Sequence, residues 1–537
     1  MTTPPTRAVL SGAHELPGDT PAEIIAGADH AACVEAARSA GAHAFVAELP
    51  EGYRTPVGPG GVALTGSQRL RLAVARLLVE DPPALTFEDP TVGLDPAGEA
   101  ACLPGLAALA SGRDVRVADA SPAVRAVAEQ DAPQAPSHPE PPPDDAALPS
   151  LRRLLDPAAM APLLGSLLVD EQVPDVRVES IRYKPGNNAV VQYAVRTGSG
   201  WHTAVAFSRA GAQLHRKRTQ ADNRRRAARA VDRTPARQAL GYLGEVSALV
   251  QWLPLDIRLK LLADRPERLA ERLNHKGIPT EPAQPELLRY WPRRRAVVRY
   301  GTHVLKVYRD QLDFKEARQA LRRAAKLEAI RVPAYEGSFS ARQTTVQEWL
   351  PGQSPSVWPG SSEAVGEVLA ALHGDSRLQL PKVTARNLLA KAAVRADFVT
   401  RLLPDLQFEV DALLADLRLT APDLPYVTSH GNFHAGQLLD GPSGLVVLDV
   451  DRLCRAAAAY DLASYASHVV FGRPGDTEVL EATLDSLVKG YGARPPGLEW
   501  YLSVCLLRRA AVPFRCQDEH WPQASTALAT LAREVLP

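Results

Sequence analysis

The sequence predicts a multidomain α+β chain: a partial α/β segment first, then a small β-rich lobe written twice, then a helical lobe that completes a bilobal domain. Three observations predict this. A proline-dense stretch at 131–150 divides the chain. Two β-rich segments repeat each other after it. Near the C-terminus, His430-Gly-Asn-Phe-His-Ala-Gly-Gln437 is followed by Leu445-Val-Val-Leu-Asp449-Val-Asp451, which reads as a loop, an apolar strand and an acidic strand end.

Composition sets the limits. At 537 residues the chain is too long for one core, and about two to four domains are expected. Lys+Arg and Asp+Glu both total 61, so no overall field draws it to nucleic acid or a membrane. The basic runs His215-Arg-Lys-Arg218 and Arg224-Arg-Arg226 read as solvated helix faces. Cys33, Cys102, Cys454, Cys505 and Cys516 show no Cys-x-x-Cys spacing, so neither a zinc knuckle nor a disulfide framework is implied. The first residues hold no apolar signal core, and no stretch approaches about 18 uninterrupted apolar residues. A cytoplasmic protein without membrane insertion is expected.

The first segment, 1–130, carries Leu49-Pro-Glu-Gly-Tyr53, Leu64-Thr-Gly-Ser-Gln68, Ala84-Leu-Thr-Phe-Glu-Asp-Pro-Thr91 and Gly93-Leu-Asp95 in that order. In sequence and spacing these resemble the second half of an ABC-exporter nucleotide-binding domain. The signature loop of that family stands at 64–68 and its Walker B strand at 84–89. The chemistry is altered. No Gly-Lys pair occurs in the chain, so no P-loop cradles phosphates. Glu88 stands where the resemblance implies the magnesium Asp, and Asp89 where it implies the catalytic Glu. Val115-Arg-Val-Ala-Asp-Ala120 offers no switch histidine. The half-domain that would hold the P-loop is expected to be missing, leaving a docking or relic module. Residues 131–150 form a linker, because dense proline favours an extended, semi-rigid chain.

Next comes the repeat. Arg182-Tyr-Lys-Pro-Gly-Asn-Asn-Ala-Val-Val-Gln-Tyr193 recurs as Arg289-Tyr-Trp-Pro-Arg-Arg-Arg-Ala-Val-Val-Arg-Tyr300, and Gln251-Trp-Leu-Pro254 recurs as Glu348-Trp-Leu-Pro351. The first copy spans 151–280 and the second 281–355. In the second, Thr302-His-Val-Leu-Lys-Val-Tyr-Arg309 sets Lys306 between apolar neighbours, and a helical stretch ten residues on offers Glu316 as its ion-pair partner. Ala206 stands at the lysine position of the first copy, which is therefore read as structural or as a partner surface.

The last segment, 356–537, is helical by period, with the loop and the acidic strand end inside it. Together these pieces resemble the aminoglycoside phosphotransferase and choline kinase family, whose pattern is His-Gly-Asp, four residues, Asn, then an apolar strand ending in Asp. The resemblance covers roughly 285–537 and implies a protein-kinase-like bilobal fold, ATP and Mg2+. It implies that Lys306 grips phosphates and that Glu348 and Leu350, in the hinge, flank an adenine. Asp449, Gln437 and Asp451 are the implied metal ligands.

Two positions depart from the pattern. Asn432 replaces the proton-accepting Asp, and Gln437 the metal-holding Asn. An amide orients a hydroxyl but takes no proton at neutral pH. His430 and Asp461 brace the loop, and His434 is the candidate substitute base. Two functions follow: an ATP-dependent phosphotransferase, weakened at residue 432, acting on a hydroxyl of a small molecule or peptide, or an inactive pseudokinase. The latter would be a binding or scaffold subunit of a modifying or transport complex, organising a protein partner through the ABC-like segment or the first repeat. A third account is that residue 432 was changed deliberately, as is done to trap substrate complexes.

Overall fold

In this computed structural model the described residues are 8–536 apart from 12–15, 17, 26–29, 48, 59–60, 63, 83, 93, 95, 112, 122–123, 126–127, 129–139, 170–172, 353–361, 442–443 and 473–475. Gly93, Asp95, residues 131–139 of the proline-dense linker and the expected lobe boundary at 355–356 therefore lie outside them. The chain divides into two compact units. One is Met1–Pro136 with Gly352–Val357 and Leu438–Ser443, and the other is the remainder.

The first unit is α/β. Strands β1 (Ala8–Ser11), β2 (Ala84–Glu88) and β3 (Asp114–Asp119) form a parallel sheet in the order β1-β2-β3. Leu85 and Phe87 of β2 are buried in one core with Ala37 of α1 (His30–Ser39), Leu72 and Val74 of α2 (Gly66–Glu80), and Leu106 and Leu109 of α3 (Pro96–Ala110). The stretch read as a signature loop starts α2. Thr65 caps the helix, accepting from Gln68 N, while the Gln68 side chain accepts from Thr65 N, and this reciprocal box satisfies two otherwise orphaned donors. Glu88 ends β2, and Asp89 turns the chain with φ of 47°.

The second unit begins with a five-stranded antiparallel sheet of β4 (Asp175–Lys184), β5 (Asn188–Thr197), β6 (Gly200–Arg209), β7 (Leu240–Leu243) and β8 (Ala248–Trp252), in the order β4-β5-β6-β8-β7. Helix α4 (Ala221–Ala230) carries the exposed Arg224 and Arg225, and α5 (Pro266–Asn274) leads to the next sheet. That sheet holds β9 (Glu286–Trp291), β10 (Arg295–Tyr300), β11 (His303–Tyr308), β12 (Tyr335–Phe339) and β13 (Thr344–Glu348), with α6 (Gln311–Ala324) between β11 and β12. Its order, β12-β13-β11-β10-β9, repeats the first sheet strand for strand.

The register corrects one equivalence. Val190 pairs with Phe207, and its counterpart Val297 pairs with Lys306. Phe207, not Ala206, thus occupies the lysine position of the first copy. Motif spacing hid this because the first hairpin is longer: Val190 and its partner Phe207 are 17 residues apart, whereas Val297 and Lys306 are 9 apart, so no single offset carries across both strands.

The helical lobe contains α7 (Ser362–Gly374), α8 (Ala385–Leu402), α9 (Gln407–Leu419), β14 (Tyr426–Ser429), β16 (Gly444–Val447), β17 (Cys454–Ala457), α10 (Ala459–Val469), α11 (Thr477–Tyr491), α12 (Leu498–Arg509), α13 (Val512–Arg515) and α14 (Trp521–Glu534), while β15 (Leu438–Gly441), between β14 and β16 in the chain, is counted with the first unit. β14 and β17 pair antiparallel, which brings residues 430 and 454 to one end of a short ribbon. Tyr183 of β4 meets Phe398 of α8 and Phe514 of α13 edge-on or tilted, with ring centroids 6.1 and 6.4 Å away. The first β lobe is thereby tied to the helical lobe. Among the described residues no helix is long and apolar enough to cross a membrane.

Candidate active site

The loop after β14 is held by one buried carboxylate. Asp461 Oδ2 accepts from His430 N at 2.6 Å and Oδ1 from Gly431 N at 3.0 Å, and His373 Nε2 stands 3.3 Å from Oδ2. Burial opposes the charge on Asp461, but these hydrogen bonds outweigh it and lower the carboxyl's pKa. His430 Nε2 donates to Leu448 O at 2.8 Å, which fastens the loop to the acidic strand end. Gly431 has φ of 83°, and a Cβ there would lie 2.6 Å from Arg452 O. Only glycine suits that approach. Phe433 is buried beside His430 and Tyr465, whereas Asn432 is half-buried with no side-chain hydrogen bond among the described residues.

Asp449 follows β16 in the left-handed region, with φ of 55°. Its Oδ1 lies 2.8 Å from Lys306 Nζ of β11, and its Oδ2 lies 2.8 Å from Arg295 Nη2 of β10. Arg295 Nη1 continues to Asp451 Oδ2 at 3.0 Å, which Tyr308 Oη also approaches at 3.3 Å. The Arg295 guanidinium stacks on Trp291, 4.7 Å from the ring centroid. Burial works against ionising Asp449, yet Lys306 and Arg295 prevail and hold it well below the usual carboxylate range. Burial likewise opposes the charge on Arg295, and Asp449 and Asp451 overcome it, so the guanidinium keeps its proton more firmly than usual.

The structure thus unites Lys306, Asp449, Asp451, Gln437 and His434, but on terms that sequence reasoning did not foresee. Lys306 pairs with Asp449 and not with Glu316. Glu316 sits on the exposed face of α6, because Phe314, Ala317, Ala320 and Leu321 take the inward face. Glu348 Oε1 accepts from Ala334 N at 3.0 Å, and Leu350 is half-buried just past the end of β13. Gln437 Nε2 contacts His434 Nε2 at 2.9 Å and Asp449 Oδ2 at 3.5 Å.

His434 stacks on His468 with centroids 4.4 Å apart. Burial, then Arg509 and His430, push its pKa down to about 3. A histidine that resists protonation this strongly is a poor proton acceptor near neutrality, so the substitute-base role does not suit it.

Arg295 was missed by the sequence reading. The available signal was the run Arg293-Arg-Arg295 in the β9–β10 turn, where the first copy has Gly186-Asn-Asn188.

A divalent metal held by Asp449, Asp451 and Gln437 does not fit this arrangement. Both Asp449 oxygens and one Asp451 oxygen are engaged by cations, and Gln437 presents its NH2 to Asp449. The second oxygen of Asp451, Oδ1, is buried without a partner among the described residues. Among the described residues no three His, Cys, Asp or Glu side chains converge as a metal site.

Residues 291–500 match the phosphotransferase enzyme family, APH. An N-terminal segment is similar to ABC-transporter ATP-binding proteins. It is 42% identical over 87 residues to ABC transporter B family member 19 of Arabidopsis thaliana, covering 16% of this chain and 7% of that protein. It is 46% identical over 82 residues to the alpha-hemolysin translocation ATP-binding protein HlyB of Escherichia coli O157:H7, covering 15% and 12%. The chain therefore spans about a tenth of the length of these curated relatives.

Among solved structures it is similar to a choline/ethanolamine kinase family protein from Mesorhizobium loti, with TM-score 0.35, 16% identity, and coverage of 47% of this chain and 88% of that one. It is also similar to the streptomycin–ATP–APH(2")-IIa complex, with TM-score 0.36, 11% identity, and coverage of 50% and 97%. The family resemblance read from the catalytic-loop and signature motifs is thus matched at both ends of the chain.

Proposed function

We propose that residues 281–537 form an ATP-dependent phosphotransferase that transfers the γ-phosphoryl group to a hydroxyl of a small molecule or peptide, slowly. The observation that carries this reading is the convergence of Lys306, Asp449 and the Asn432 loop, joined by the His430–Leu448 and Asp461 hydrogen bonds. Lys306 and Arg295 supply positive charge for the phosphates, which a loose, charge-spread transition state needs most. The adenine would lie at the hinge after β13, near Glu348 and Leu350.

Asn432 orients the acceptor hydroxyl through its amide oxygen. The hydroxyl oxygen bonds to the γ-phosphorus, the bond to the ADP oxygen breaks, and the hydroxyl proton passes to a phosphate oxygen. Without a carboxylate base the rate is expected to fall by about 10²–10⁴. Mg2+ accompanies ATP in this reading only if Arg295 withdraws from Asp449 and Asp451. An ATP-consuming enzyme of this kind would act in the cytoplasm.

One observation favours the pseudokinase reading: Arg295 neutralises both acids that a catalytic metal would need. In that case the lobe binds nucleotide or a partner without turnover, and the ABC-like segment and first repeat are its protein-docking parts.

The deciding experiment measures ADP release and ATP-induced thermal shift on the full chain. Slow ADP release that requires an added acceptor supports the enzyme, and a thermal shift without release supports the pseudokinase. No shift at millimolar ATP rejects the enzyme and the nucleotide-binding pseudokinase, and leaves only a lobe that binds a partner.

A further inference from the structure

Six cations collect around the Asn432 loop, and none of them is ion-paired to a carboxylate among the described residues. Lys391 and Arg395 stand one turn apart on α8, which packs on α12. Arg508 of α12 donates from Nη1 to Tyr460 Oη at 3.1 Å, and Tyr460 Oη donates to Gly431 O at 2.9 Å. That guanidinium is two hydrogen bonds from the loop. Arg452 follows the acidic strand end, and its carbonyl is the group that packs on Gly431. Arg294 lies in the β9–β10 turn, where its carbonyl accepts from Arg309 N at 3.0 Å. In the same turn Pro292 O accepts from Arg182 Nη1 at 3.1 Å.

Among the described residues none of Arg182, Arg294, Lys391, Arg395, Arg452 and Arg508 is ion-paired to Asp or Glu. Asp313, whose charge favours that of Arg294, is already paired with Arg309 at 2.8 Å.

These charges feel one another. Burial, then Arg294, Arg293 and Arg309, push Arg182 down to about 10. Burial, then Arg508 and Arg294, lower Arg395, while burial, then Arg508 and Arg452, lower Lys391. Like charges that are crowded and partly desolvated destabilise a fold unless something of opposite sign discharges them. Among the described residues Asp256 and Asp313 offset Arg182 and Arg294 only in part, and Tyr460 and Cys505 favour the charge on Arg508, whereas Lys391 and Arg395 face no carboxylate.

We infer that this cluster seats a polyanionic small molecule, and that the acceptor presented to Asn432 already carries phosphate. Guanidinium groups in this number suit phosphate oxygens by charge and by forked geometry. A polycationic acceptor would be repelled. The cations are separate from Lys306 and Arg295, which stand on Asp449 and answer the nucleotide. The acceptor role rests on the phosphotransferase reading, whereas the binding of a polyanion does not.

The test uses the full chain and inorganic pyrophosphate as probe, with glucose 6-phosphate as an organic source of the same group and spermidine as the cationic control. Binding is followed by calorimetry in low salt. The variants are Lys391→Gln/Arg395→Gln together, on one exposed to half-exposed stretch of α8, and Lys306→Ala.

Pyrophosphate should bind, spermidine should not, and the double variant should lose at least about tenfold in affinity, since charged hydrogen bonds are being removed. The ATP-induced thermal shift should be unchanged in the double variant. Tighter binding of glucose 6-phosphate than of pyrophosphate would assign the seat to an organic phosphate, and the reverse to free phosphate groups. Pyrophosphate that fails to bind at millimolar concentration overturns the inference, as does binding insensitive to the double variant but lost in Lys306→Ala. If ATP gives no shift while pyrophosphate binds in an Arg395-dependent way, the nucleotide reading falls and the anion seat stands.

Discussion

Arg295 lays its guanidinium on Asp449, Nη2 to Oδ2 at 2.8 Å, and reaches Asp451 through its other terminal nitrogen at 3.0 Å. With Lys306 on the far oxygen of Asp449, two cations answer two carboxylates and the local charge is balanced. A divalent ion entering there must displace a stacked, doubly paired arginine.

That relationship predicts an unusual metal dependence. Wild-type ATP binding, read as a thermal shift, should be nearly the same in Mg2+ and in EDTA. In Arg295→Gln, which frees both acids, the shift should become Mg2+-dependent by tenfold or more in apparent affinity, roughly the worth of one charged contact. Abolition of wild-type ATP binding by EDTA would show that Arg295 yields to metal readily.

Lys306→Ala should remove most of the ATP-induced stabilisation, which scales as RT ln(1 + [L]/Kd). Asp449 keeps Arg295 as partner in this variant, so the fold should persist. The segment at 1–130 has no P-loop, so little residual shift is expected from it. A full shift in Lys306→Ala would place the nucleotide elsewhere.

Asn432→Asp restores a proton acceptor in nearly the same volume. In the enzyme reading ADP release should rise by about 10²–10⁴, and Asp449→Ala should abolish the gain. A silent Asn432→Asp, with ATP binding intact, favours the pseudokinase.

The paired histidines predict an acid-side loss of stability. His434 titrates at about 3, lowered by burial and by Arg509, and His468 is lowered by the same causes. A folded pKa below the unfolded value near 6.5 means the contribution is complete above about 6.5 and is lost as pH falls toward the folded value. Between pH 6.5 and 5 the wild-type melting temperature should drop, and His434→Gln should drop less. Asp449 and Asp461, also lowered, would take effect only below the ordinary carboxylate range. Equal drops in wild type and variant would show that His434 is not buried neutral.

The candidate site's loop was legible because its residues are neighbours in sequence: His430, Gly431 and Asn432 precede an apolar strand and Asp449, and the His430–Leu448 hydrogen bond joins the two. The duplicated lobe was legible for the same reason, and its two sheets share one strand order. Glu316 failed because helical period alone does not say which face turns inward. Phe314 and its apolar companions took that face.

By itself, then, the sequence determined the repeat, the His430–Gln437 loop motif with its Asn432 and the absence of a Gly-Lys pair, all of which depend on local pattern. Tertiary structure decided which charges meet. Arg295 lies 154 residues from Asp449 in the chain, and Arg182, Arg395 and Arg508 come from three separate elements and Arg294 from a turn. Coulomb energy depends on distance in space, and only the packing of the lobes sets that distance.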